Sequence, residues 1–219
     1  MKLVRFNSNE EIQTFIDYLF AQCPILPEDE ACVKSFKDLW IRFLSHHSLN
    51  AELNLGNQFL NQCYPLEHNI PSYEIVITFV IPNIIELLSE GFLSGQEFLY
   101  SQLKENMHFS NTGDMDITQF SFSTPILSVF MPNCTDGKWR CCEAIDGNHR
   151  LSAATYSGID VPVTNICDLV LPTKAFINES SWFLYHILTG YYIVVSHIQG
   201  FPPREQYLEA LTEFLQELS

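Results

Sequence analysis

Apolar residues recur at helical spacing near the start of the chain. Ile12, Phe15, Ile16, Leu19 and Phe20 share one face if residues 8–22 form a helix, with Ser8 or Asn9 as its cap and Glu10 and Glu11 in its first turn. Pro24 and Pro27 then break the chain. A second stripe, Val33, Phe36, Leu39, Trp40, Phe43 and Leu44, predicts a helix over 28–46, and a weaker pattern predicts a third over 49–63. A helical N-terminal region over 1–70 is therefore expected. The pattern changes at 73–81, where β-branched and aromatic residues predict a strand. A short helix is expected over 82–88, with Pro82 in its first turn. The spacing of Phe98, Leu99 and Leu103 predicts another over 96–106. Residues 110–116 read as a loop, followed by strands at 117–123 and 125–131. Asp136-Gly137 lies in the polar turn 133–138 and marks a hairpin into a strand over 140–145. After that come a helix over 151–157, a strand over 161–166, and helices over 173–178, 181–197 and 202–218. No repeat divides the chain and no shift in composition fixes a boundary near 70 or near 110; the second region is taken as 71–219.

The chemistry concentrates in residues 143–166, EAIDGNHRLSAATYSGIDVPVTNI. An apolar strand runs through Asp146-Gly147-Asn148-His149-Arg150 into a helix of small residues, which Gly158 ends. A helix start presents backbone N–H groups and the positive end of the helix dipole. With His149 and Arg150 beside it, such a start holds phosphate. The bland alternative is a polar turn that merely begins a helix, since Asp, Gly and Asn are ordinary turn residues. Glu143 lies three residues before Asp146, and the two carboxylates either hold Mg²⁺ between phosphate oxygens or, equally, leave Glu143 facing solvent on an edge strand.

At these residues the chain resembles the ParB/sulfiredoxin-like nucleotide-binding fold. The resemblance rests on Ala144-Ile145, the turn Asp146 to Arg150, Ala153-Ala154, Gly158 and Val161-Pro162-Val163, and reaches back to the strand at 125–131. It covers about a third of the chain. Within that fold the turn is most similar to that of the free serine kinases, Asp-Gly-His-His-Arg, from which Asn148 departs. Sulfiredoxins carry a catalytic Cys where this chain has Asn148, so sulfinic-acid repair is not implied. The partition proteins carry an Arg-rich turn that binds CTP, and His149 departs from it.

The resemblance implies an α+β fold with a mixed sheet and helices, preceded here by the helical N-terminal region. It implies ATP, ADP or CTP with Mg²⁺, and phosphoryl transfer to a small-molecule acceptor or nucleotide hydrolysis. Arg150 and His149 would contact phosphate, the backbone of Gly147, Asn148 and His149 would cradle it, and Asp146 would order the turn or reach the metal. The serine kinases also use an upstream Glu as general base. Glu90, Glu97 and Glu105 are the candidates, each also explained as a solvated helix face. Glu97 is chosen because it follows a glycine near an expected helix start.

Composition narrows the partners. With 26 acidic against 11 basic residues the net charge is −15, which disfavours nucleic acid because displacing counterions needs a basic surface. A hydrophobic content of 47% supplies a packed core. The seven cysteines, an odd number with no C-x-x-C pair, read as reduced thiols rather than a disulfide framework. The N-terminal residues lack the apolar run of a signal peptide, and His186, Gly190, Ser196 and His197 interrupt the apolar stretch 182–198. A cytoplasmic protein without a membrane span is expected. His46 and His47 are adjacent and so diverge on a helix, which reads as a solvated helix end ahead of a metal site. His68, His108, His186 and His197 lack ligand-like spacing and read as structural or surface residues. The charge also motivates a reading from another class. In it the chain is an acidic antitoxin or immunity-type protein that uses the fold as a scaffold and binds a basic partner.

Overall fold

The computed structural model describes residues 8–21, 27, 30–46, 63–70, 73–110, 120–135 and 138–198. These contain an α+β arrangement divided into two compact units. The expected helices over 49–63 and 202–218, most of the loop 110–116 and the start of the strand over 117–123 fall outside the described residues, although Cys63 itself opens a strand.

The first unit contains α1 (Asn9–Ala21), α2 (Glu30–His46) and α6 (Glu179–Ile198), so it draws on both ends of the sequence. Ser8 caps α1 by accepting the Glu11 N–H on Oγ at 3.3 Å. The apolar stripes meet as edge-to-face aromatic pairs: Phe20 with Phe36 at 5.4 Å, Phe20 with Tyr191 at 5.5 Å, and Trp40 with Phe183 at 4.8 Å between centroids. Ile12, Phe15, Ile16 and Leu19 are buried, as the spacing predicts. Two strands, β1 (Cys63–Ile70) and β2 (Tyr73–Val80), form a two-stranded sheet. Among the described residues, no helix is long and apolar enough to cross a membrane.

The second unit is built on a mixed five-stranded sheet. Its strands are β3 (Gly95–Leu99), β4 (Met107–His108), β5 (Ile126–Thr135), β6 (Lys138–Asp146) and β7 (Pro162–Ile166), in the order β3-β7-β5-β6-β4. β5 and β6 are the expected antiparallel hairpin, with Thr135 opposite Lys138. β7 lies parallel to β5, and β4 parallel to β6. One face packs against α5 (Asn148–Ser157): Leu151 and Ala154 join Ile126, Cys142, Ala144 and Val163 in a buried cluster. The small Ala154 lets the helix approach the sheet closely. Two further helices are α3 (Ile81–Ser89) and the single turn α4 (Tyr100–Leu103). A 3-10 turn at Thr173–Ala175 is tied to α3, where the Asn83 amide donates to the Lys174 carbonyl at 2.8 Å.

The helix expected over 96–106 is replaced by β3 and α4. All of β3 pairs with β7, from Gly95 opposite Ile166 to Leu99 opposite Pro162. The helix then starts at Tyr100 because Asp160, remote in sequence, accepts the Ser101 N–H at 2.9 Å and the Ser101 hydroxyl at 2.6 Å. Those bonds lower the Asp160 pKa. Residues 120–123, expected to complete a strand, form turn and irregular chain instead.

Candidate functional site

β6 enters α5 through Gly147, whose backbone is left-handed at φ 80° and ψ 18°. A Cβ there would lie 2.5 Å from Ile126 Cδ1 and 2.8 Å from Arg150 Nη2. Conformation and packing therefore both require glycine. A bulge precedes the turn: Ser128 faces Ala144, but Leu127 faces Asp146, so Ile145 is the extra residue. The bulge sets the angle at which Asp146 leaves the sheet.

The N-cap of α5 is Gly147, which has no side chain to cap the helix. Leu151 donates its N–H to the Gly147 carbonyl at 2.8 Å as the helix begins, so the amides of residues 148–150 lie ahead of this bond. Arg150 is fixed beside them. Its Nη2 donates to Asp146 Oδ2 at 2.9 Å, and its Nη1 to the Thr124 carbonyl at 2.8 Å. The Arg150 side chain is 15% exposed and that of Asp146 39%. His149 is exposed.

Asn148 is buried and structural in its contacts. Its amide donates to the Ala144 carbonyl at 3.1 Å, and its Oδ1 accepts the Ser110 N–H at 2.9 Å. It thus joins the turn to the segment that leaves β4.

The other expected residues are placed differently. Glu97 lies on a strand, not a helix, and accepts a hydrogen bond from the Thr164 hydroxyl. It shares one row of the sheet with Thr164, Leu127 and Asp146. Three strand spacings of about 4.8 Å put it about 14 Å from Asp146 along that row. A general base must come within about 3 Å of the proton it takes, so the structure does not bring Glu97 to the turn. Glu90 and Glu105 are exposed.

Glu143 does not face solvent. Its side chain is 1% exposed, and Oε2 lies 2.7 Å from Nδ1 of His108. The register sets Glu143 opposite Val129 and Asp146 opposite Leu127, on the same face of the sheet, yet the two carboxylates have different partners, His108 for Glu143 and Arg150 for Asp146. Mg²⁺ takes one or two protein carboxylates and keeps waters or phosphate oxygens for the rest. The half-exposed Asp146 fits that role, and the buried Glu143 does not. Among the described residues there is no group of three or more His, Cys, Asp or Glu side chains suited to a metal.

His108, Ser110 and Thr124 join the site only through the tertiary structure. His108 sits on a strand two residues long, too short to leave a periodic signal. Burial pushes the Cys142 pKa up to about 12 and raises that of Cys141, which makes both poor nucleophiles.

Comparison of the chain with family models, curated proteins and solved structures finds no match.

Proposed function

We propose that the start of α5 binds the phosphates of a nucleotide, in keeping with the ParB/sulfiredoxin-like resemblance of the turn. The observation that carries this reading is a helix start whose N-cap is a glycine, with the Arg150 guanidinium locked beside it by Asp146 and the Thr124 carbonyl. Positive potential from the helix end and a fixed guanidinium suit an anion. That such a place persists in a chain of net charge −15 gives a ligand reason to settle there rather than elsewhere.

In this reading the backbone amides at the turn cradle phosphate. His149 donates a hydrogen bond to it, Arg150 neutralises charge, and Asp146 both orients Arg150 and offers an oxygen to a phosphate-bound Mg²⁺. The reaction is phosphoryl transfer from ATP, ADP or CTP to a small hydroxyl acceptor or to water, which asks mainly for positioning and charge neutralisation. Free serine is the acceptor suggested by the turn.

The test is a thermal-shift panel of ATP, ADP, CTP and GTP with Mg²⁺ on the wild type and His149→Ala. Ligand at about 100 times its dissociation constant stabilises the native state by about 2.7 kcal/mol. A shift in the wild type that shrinks in the variant supports the site. No shift with any nucleotide removes it and leaves the acidic scaffold with a basic protein partner as the reading to pursue.

A further inference from the structure

Glu143 is a carboxylate with 1% of its side chain exposed, on the sheet face opposite α5. A buried carboxylate is tolerated when a partner compensates its lost hydration. Here the partner is His108, directly opposite it in the parallel pairing of β4 with β6. The separation of 2.7 Å between Nδ1 and Oε2 is in the range of a charge-assisted hydrogen bond. A carboxylate on Nδ1 selects the tautomer with the proton on Nδ1 and the lone pair on Nε2. His108 keeps 28% of its side chain exposed, so the imidazole is the end of the pair that meets solvent.

The location ties this pair to the turn. β4 and β6 run parallel, and His108 is the last residue of β4. Two residues on, the Ser110 N–H donates to Asn148 Oδ1 at the start of α5. Two residues of extended chain span at most about 7 Å, so His108 stays close to the turn. The carboxyl ends of parallel strands are also where open sheets bind ligands.

We infer that His108, oriented by the buried Glu143, is the general base of the site, in the place expected of an upstream glutamate. The inference rests on the phosphate-binding reading of the turn. Nε2 takes the proton of the attacking hydroxyl, whether of water or of a small alcohol, as its oxygen forms a bond to the terminal phosphorus of a nucleoside triphosphate. The bond from that phosphorus to the bridging oxygen breaks, and its electron pair leaves with the nucleoside diphosphate. The proton rests on Nε2 as an imidazolium facing the Glu143 carboxylate, then passes to solvent. His108 is the catalytic group, and Glu143 a positioning residue that acts through it.

The experiment compares wild type, His108→Gln and Glu143→Gln, measuring nucleotide binding by thermal shift and the transfer of phosphate from ATP·Mg²⁺ or CTP·Mg²⁺ to water and to serine. His108→Gln keeps an amide that donates to the buried carboxylate but cannot take up a proton. Glu143→Gln keeps an acceptor for Nδ1 but removes the charge, and stands in should the first variant fail to fold. The expected result is unchanged nucleotide affinity with kcat lower by about 10²–10⁴-fold in His108→Gln. In Glu143→Gln the loss should be smaller but clear, with KM unchanged. Wild-type rates in both folded variants, as a purely structural pair would give, overturn the inference and leave the nucleotide site standing. So does a wild type that binds nucleotide but transfers no phosphate. A wild type that binds no nucleotide overturns the phosphate-binding reading itself.

Discussion

Arg150 in the first turn of α5 donates to Asp146, the last residue of β6, at 2.9 Å, and the same guanidinium donates to the carbonyl of Thr124 at 2.8 Å. One side chain thus joins the end of one strand, the start of a helix and the approach to β5. An arginine held this way has little freedom left to lose on meeting an anion, and removing it loosens the scaffold.

Arg150→Ala is therefore expected to lower stability by about 1–3 kcal/mol through the loss of charge-assisted hydrogen bonds. Arg150→Lys should recover part of it, because an ammonium reaches one acceptor where the guanidinium spans two. Urea unfolding midpoints at constant m-value read the effect. An unchanged midpoint in the alanine variant would refute this scaffold role.

The two left-handed glycines of α5 make a paired comparison. Gly147 at φ 80° has both the disfavoured conformation and an Ile126 methyl 2.5 Å from a built Cβ, whereas Gly158 at φ 68° has nothing within 4 Å. Gly158→Ala should cost about 1 kcal/mol, the conformational term alone. Gly147→Ala should cost clearly more, about 2–4 kcal/mol, since overpacking adds to that term. Equal costs in chemical denaturation would contradict the packing argument.

His186 is buried in α6, with its Nδ1 2.6 Å from the Trp182 carbonyl and its ring against Trp182 and Tyr185. Burial lowers its pKa from 6.5 to about 3, and the hydrogen bond to the carbonyl offsets only part of that shift. Below about pH 6.5 the unfolded chain takes up a proton that the folded chain refuses. The unfolded state then binds more protons, so stability falls as the pH drops from 6.5 toward 3, by about 1.4 kcal/mol per pH unit from this group. His186→Gln should lose this component. Unfolding free energies measured at pH 7.5, 6 and 5 check it, and parallel slopes in the two proteins would rule it out.

Thiol reactivity should divide along the burial pattern. Cys167 is exposed, Cys141 is exposed but carries a raised pKa, and Cys142 is buried with a pKa of about 12. The thiolate is the nucleophile, so among these three thiols alkylation of the native protein at pH 8 should label Cys167 first, Cys141 more slowly, and Cys142 only after unfolding. Site-resolved mass spectrometry reads the order. Early labelling of Cys142 would show that this part of the sheet opens readily.

The segment from β6 through α5 to β7 was legible because its signals are local. Asp-Gly-Asn marks the turn, Ala153 and Ala154 suit a helix packed closely on a sheet, and both glycines adopt the left-handed backbone their positions suggest. Apolar spacing likewise placed α1 and α2, because a helix makes its hydrogen bonds within its own segment. Strand pairing is different. β3 took residues expected to be helical, and β4 is two residues long, since each exists through its neighbour rather than its own pattern. The contacts that complete the candidate site are of the same kind. Arg150 meets Thr124 across 26 residues of chain, and Glu143 meets His108 across 35. Residue type and spacing said that Glu143 carries a charge near the turn. Which face of the sheet it occupies, and which residue meets it there, depended on strand register, and register is set by lateral pairing that no local stretch of sequence encodes.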